Sequence, residues 1–199
     1  MGRKPLQRAR KSDPEKTTAW LELLLPKLQA ADLKALTMDD IAQLIGKSKS
    51  TVYEYFPSKE ILLLEGVRIR LNTLTALRAM IDFKEGDIKT LYVNYITLIA
   101  NAVADVSISF LEAIEKDFPV IWTEILANMQ GIIDDLTQLY EIGIERQDFK
   151  KVSVALLIEI DRFFVTKLIN DTKLWSDEPI GLEQLIHEYL EVRLAGLAN

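Results

Sequence analysis

From Thr17 onward, apolar residues recur at three- and four-residue spacing, the mark of helices that each bury one face. No period-two alternation runs long enough for a sheet, and glycine and proline are scarce within the segments, so the pattern predicts an all-α protein. The first helix is expected from a cap at Thr17 or Thr18 through Trp20, Leu21, Leu24, Leu25 and Leu28, with Pro26 predicting a kink or restart near Leu25. Two short helices follow. Thr37 caps one whose first turn carries Asp39 and Asp40, where carboxylates suit the positive end of the helix dipole, and whose apolar face is Ile41, Leu44 and Ile45. Ser48 caps the other, in which Val52 and Phe56 face inward while Lys49, Ser50, Tyr53, Glu54 and Tyr55 are left for the remaining sides. Gly46 stands between them, where the chain leaves the first helix in a left-handed conformation that a side chain would resist. This is a helix-turn-helix, with Ala42 small where its two helices cross.

A long helix opens at Lys59 and Glu60 and continues through Leu62, Leu63, Val67, Leu71 and Leu74 to about residue 80. Further breaks fall at Lys84 to Gly86, around Asp105 to Ser107, at Asp117 to Pro119, at Arg146 to Lys150 and at Trp175 to Gly181. Between Pro119 and Gly143 one stripe holds Trp122, Ile125, Met129, Ile132, Leu136, Leu139 and Tyr140. From Val152 to Ile169 apolar residues lie nearly all round, and Leu182, Leu185, Ile186, Tyr189, Leu190 and Leu197 continue the pattern. These last two helices are the expected homodimer interface, with Glu159 and Arg162 pairing at its rim. The aromatic and apolar residues Tyr92, Tyr95, Phe110, Trp122, Met129, Tyr140 and Phe163 are candidates for the lining of an effector pocket, although aromatics at helical spacing are more often plain core.

Charge sharpens the division. The chain carries a net −6, yet residues 1–70 hold 13 Lys and Arg against 9 Asp and Glu, whereas residues 71–199 hold 11 against 21. Positive potential is thus concentrated beside the helix-turn-helix, where a phosphate-binding surface needs it. Residues 1–16, basic and poor in apolar side chains, read as a flexible arm. The absence of cysteine rules out disulfides and thiolate metal sites. No apolar run is long enough to span a bilayer and the basic N-terminus has no apolar stretch, so a cytoplasmic protein without membrane contact is expected. His187, the lone histidine, has no second imidazole or thiol with which to hold zinc, and no phosphate loop or dinucleotide fingerprint occurs. Neither an enzyme nor a bound metal or cofactor is expected.

The segments IAQLIG (41–46), SKSTVYEYF (48–56) and SKEIL (58–62) resemble the DNA-binding region of the TetR family of bacterial transcriptional regulators, and GIERQDFKKVSVALLIEIDRFF (143–164) is similar to that family's entry into its penultimate helix. The resemblance implies a three-helix DNA-binding domain at 17–62, a linking helix from about 59 to 80, and a larger helical effector-binding and dimerisation domain at 63–199. It also implies contacts. Positions matching Lys49, Ser50, Tyr53 and Glu54 lie over bases in that family, and those matching Thr37, Thr51, Tyr55 and Lys59 lie over phosphates; Ser48 completes the candidate set. Helix geometry independently makes Lys49, Ser50 and Tyr53 the natural base readers, while Glu54 is expected to turn to Lys47 or Lys59. Tyr53 and Tyr55, two residues apart on a helix, cannot share a face, so at least one points outward. The expected function is that of a sequence-specific regulator, a ligand-responsive repressor that binds a palindromic double-stranded operator as a dimer. The alternative is a dimeric ligand- or protein-binding module of the same fold that has lost DNA binding, a reading favoured by Pro26, Lys47 and Glu54.

Overall fold

The structure, a computed structural model, describes residues 13–170 and 181–199. Among them run nine helices: α1 (Pro14–Leu28), α2 (Met38–Leu44), α3 (Lys49–Tyr55), α4 (Lys59–Arg78), α5 (Ile88–Val103), α6 (Ile108–Asp117), α7 (Pro119–Glu145), α8 (Val154–Asn170) and α9 (Leu182–Leu197). The all-α architecture expected from periodicity is present, and among the described residues no single helix is long and apolar enough to cross a membrane. Most of the expected basic arm, residues 1–12, and nearly all of the break around Trp175 lie outside the described residues.

Local chemistry explains where the helices start. Serine, threonine or aspartate side chains at Asp13, Thr37, Ser48, Ser58, Asp87 and Ser107 accept the amide hydrogen three residues on, each satisfying a donor that a helix start leaves orphaned. Two sequence expectations change in α1. Its cap is Asp13, with Pro14 in the first turn, so residues 13–16 belong to the helix and not to the arm, and neither Thr17 nor Thr18 is the cap. Pro26 falls in the last turn, and the helix runs through it to Leu28 without restarting.

The helices bury two sets of side chains. One joins α1, α2, α3 and the first half of α4 (Leu62, Leu63, Leu64, Val67) to Phe110, Ile114, Phe118 and Ile121 of α6 and α7. The other unites α5, the second half of α7, α8 and α9 around Tyr92, Leu139, Tyr140, Leu157 and Leu190. The linking helix α4 serves both, since Leu71 packs against the first core and Leu74 against the second. Its crossing with α1 is close. A Cβ on Gly66 would lie 3.2 Å from Leu25 Cδ2, tighter than an ordinary contact. The division expected at residues 62 and 63 therefore falls inside a helix that is continuous between the two cores.

At the centre of the second core lies Asp161, 1% exposed and the sole buried charged residue among those described. Its carboxylate accepts hydrogen bonds from Tyr92 Oη at 2.9 Å, Tyr189 Oη at 2.6 Å, Arg193 Nε at 3.1 Å and also Tyr140 Oη, tying α5, α7, α8 and α9 to one point. Burial, with the neighbouring carboxylate, pushes the tyrosine hydroxyls far above their ordinary range, so they remain donors. Removing one member of such a network strands the others. Asp161→Ala is expected to lower the unfolding free energy by about 3–5 kcal/mol, read as a shift in urea midpoint at fixed protein concentration; a loss below about 1 kcal/mol would contradict the assigned network.

Candidate nucleic-acid interface

The helix-turn-helix is built by short-range chemistry. Thr37 Oγ1 accepts from Asp40 N at 3.2 Å while Asp40 Oδ2 accepts from Thr37 N at 2.9 Å, a reciprocal capping box that starts α2. Those same bonds hold the Asp40 carboxyl below its ordinary range. Ile41 and Ala42 are buried, and Gly46 adopts φ +67°, the left-handed turn the sequence required. Lys27 Nζ reaches across from α1 to donate to Leu44 O at 2.6 Å, a cation at the negative end of α2. Ser48 then caps α3, and its hydroxyl pairs with those of Ser50 at 2.9 Å and Thr51 at 2.8 Å.

Within α3 the two faces separate as expected. Val52 is fully buried and Phe56, just past the helix end, is 2% exposed, whereas Lys49, Ser50 and Tyr53 lie together on the exposed side, Tyr53 at 45%. Thr37 and Ser48 are exposed and Thr51 half-buried beside them. Lys49 does not project alone. Its ammonium lies 2.7 Å from Asp39 Oδ2, and this hydrogen-bonded carboxylate raises the lysine above its ordinary range.

Two expectations fail here for tertiary reasons. Tyr55 is 5% exposed, its ring edge-on to Trp20 at 5.2 Å between centroids, so it is core rather than a displayed phosphate ligand; its hydroxyl accepts from Lys16 Nζ at 3.1 Å. Lys59 points inward and donates to the carbonyls of Leu33, Lys34 and Leu36 at 2.8, 3.0 and 2.9 Å. Those three bonds use all the donors an ammonium has. Of the two lysines expected to receive Glu54, Lys59 is committed to these carbonyls, whereas Lys47 lies 5.7 Å over the Trp20 ring and is exposed. Lys16 lies over the same indole at 5.2 Å. Lys16 and Lys47, both exposed, flank the reading helix and were missed in the sequence because nothing local marks them as neighbours.

The seven candidate pocket residues do not gather around one cavity. Tyr92 and Tyr140 bind Asp161 in the second core, Tyr95 is buried against Phe83, and Phe110 belongs to the first core with Trp122 packed at its margin. Met129 is 43% exposed on α7 and Phe163 is 74% exposed on α8. An open cleft of about 420 Å³ instead separates α4 from α7, lined by Arg68, Asn72, Thr75, Arg78, Glu124 and Asn128 among others. Arg68 Nε donates to Glu124 at 2.8 Å and Arg78 Nε to Asp135 at 2.7 Å, so each arginine is matched by an α7 carboxylate. Asn128 donates to Thr75 Oγ1 at 2.8 Å, and its own Oδ1 is buried without a partner among the described residues. The expected Glu159–Arg162 pair forms on the surface of α8, and His187 is exposed, near Glu191.

Comparison with known proteins bears on the N-terminal helices. Residues 28–65, spanning the end of α1, the whole helix-turn-helix and the start of α4, match the bacterial regulatory proteins of the tetR family. Residues 28–65 are therefore similar to the DNA-binding region of that family. No curated protein matches it in sequence. Among solved structures it is similar to the ketosteroid transcriptional regulator KstR2 of Mycobacterium tuberculosis, at 19% identity and TM-score 0.74 over 96% of this chain and 100% of that one. It also resembles the TetR-family regulator PfmR of Thermus thermophilus (23%, TM-score 0.69, 94% and 100% covered). A third match is the transcriptional regulator FadR of Bacillus subtilis in complex with stearoyl-CoA (17%, TM-score 0.69, 89% and 97% covered). At such identities the likeness is one of fold, and the fold is that of a TetR-family transcriptional regulator along nearly the whole chain.

In this helix-turn-helix region the geometry assigns Lys59 to structure. Lys59→Met is expected to destabilise the helix-turn-helix by about 1.5–3 kcal/mol while leaving the salt dependence of DNA binding unchanged in the fraction that stays folded. Thermal melts alongside DNA titrations at three salt concentrations check this; a flattened salt slope with unaltered melting would return Lys59 to the phosphates.

Proposed function

We propose that the chain is a dimeric, sequence-specific DNA-binding repressor that releases a palindromic operator when a small effector binds. The observation that carries this is the exposed face of α3. Lys49, Ser50 and Tyr53 offer an ammonium, a hydroxyl and an aromatic phenol side by side at a reading-helix start held by buried Val52 and Phe56. The hydroxyls of Thr37, Ser48 and Thr51 and the ammoniums of Lys16 and Lys47 supply phosphate donors around it. Tyr55 and Lys59 are left out of that set. Their inward commitment shrinks the phosphate surface and is the specific support for the alternative, a binding module of this fold that no longer reads DNA.

Dimerisation is proposed through α8 and α9. Leu156, Ile160 and Phe163 lie on one face of α8 at 53, 39 and 74% exposure, and Val192 is 75% exposed on α9. A second copy would cover this apolar surface and set two reading helices about 34 Å apart, one turn of the duplex. The effector is proposed to enter the cleft between α4 and α7, since α4 runs from there into the core beneath the helix-turn-helix. The FadR relative holds stearoyl-CoA. Arg68, Arg78, Glu124, Asn72, Asn128 and Thr75 give this cleft hydrogen-bonding groups beside its apolar Leu71 and Ala127, and its volume of about 420 Å³ suits a compact ligand that carries polar groups. Such a ligand would release DNA to the extent that it favours one spacing of the reading helices over another.

Replacing Tyr53 or Lys49 by alanine should weaken specific binding by about 1–3 kcal/mol for each lost base contact, in equilibrium titrations against the preferred duplex. Phe163→Glu should give a folded monomer with lowered DNA affinity, seen by sedimentation. Unchanged DNA affinity in all three variants would remove both the contact face and the dimer from this reading.

A further inference from the structure

The Asp39–Lys49 pair contributes little to holding the fold. Asp40, one residue on, makes the capping box of α2, and Asp39 bonds instead to Lys49 at 2.7 Å. Both side chains are 54% exposed, so the pair contributes little stability. What the contact does is occupy the one ammonium on the exposed reading face of α3 with an internal anion. We propose that Asp39 is a specificity-determining residue: its carboxylate keeps the Lys49 ammonium from the phosphates of the DNA backbone, and only a base that offers acceptors in the major groove, as guanine does, replaces it.

The physical argument is one of competition, and it rests on the proposed DNA-binding function. An unpaired lysine on this face would bind any phosphate within reach, a contribution that is independent of sequence and driven by counterion release. With Asp39 in place, a single phosphate oxygen exchanges one anion for another and gains little. The two convergent acceptors on the major-groove edge of guanine offer the ammonium hydrogen bonds that the carboxylate must compete with, at a position fixed by the other α3 contacts. Asp39 therefore weakens non-specific binding more than specific binding. Its own negative charge also repels the duplex wherever the domain docks, and that part of the effect is separable because it does not require Lys49.

The test compares full-length wild type, Asp39→Asn, Lys49→Met and the double variant on two duplexes of equal length, the preferred site from sequence selection and a scrambled one, at several salt concentrations. Asp39→Asn is expected to bind scrambled DNA roughly three- to tenfold more tightly, with a log–log salt slope steeper by about one per subunit, while the preferred site gains less. The ratio of the two affinities thus falls several-fold. In the Lys49→Met background most of the gain on scrambled DNA should disappear. Equal gains on both duplexes, or a gain that persists undiminished without Lys49, would reduce Asp39 to plain repulsion and overturn the proposal. A folded wild-type dimer that binds neither duplex would instead overturn the DNA-binding reading on which the proposal rests.

Discussion

One helix belongs to two cores, and the rest of the molecule is arranged around that constraint. The first half of α4 supplies Leu62, Leu63, Leu64 and Val67 to the core beneath the helix-turn-helix, and farther on Leu74 packs against the core of the larger domain. A rigid helix anchored at both ends cannot tilt at one without moving the other. Gly66 permits α1 to press against it, and Lys59 at its start holds the loop between α1 and α2 by three carbonyls. Toward its other end, Arg68 and Arg78 bind carboxylates of α7. A second tie runs in parallel, where the amide of Ser107 at the start of α6 donates to Gln29 Oε1 at 2.8 Å, just past the end of α1. In the proposed mechanism, a change in how α7 lies against α4 would reach the reading helix through these packed side chains.

Charged residues of the same type do different work according to what surrounds them. Lys59 ends among carbonyls and acts as mortar, Lys27 caps α2, and Lys49 reaches an exposed carboxylate on the reading face. In the larger domain one buried carboxylate, Asp161, fixes four helices at a point where hydrophobic packing alone would tolerate sliding. Because α8 and α9 also carry the exposed apolar face, this anchor sets the relative position of the two helices a partner subunit would meet.

What could be read in the sequence was what short-range chemistry decides. The caps at Thr37 and Ser48, the left-handed Gly46, buried Val52 and exposed Tyr53 all follow from residues within a few positions of one another, and the structure has each of them. The misplaced residues depend on contacts distant in sequence. Tyr55 is drawn inward by Trp20 of α1, and Lys59 is turned by carbonyls more than twenty residues before it. The aromatic set from Tyr92 to Phe163 followed helical spacing, which reports burial or amphipathicity but not which helices converge. Tyr92 and Tyr140 do meet, yet around Asp161, whose partner Arg193 lies 32 positions away on another helix. Asp161, one of two acids in the apolar run of α8 and the one without an arginine three residues on, was the one visible hint of that centre.

The decisive measurement is selection of bound sequences from a random duplex library with the purified full-length protein. A DNA-reading dimer predicts recovery of a palindrome whose half-sites are about one helical turn apart, bound with strong salt dependence. A folded dimer that enriches no sequence would contradict it, and would leave the chain a TetR-family fold that has given up DNA.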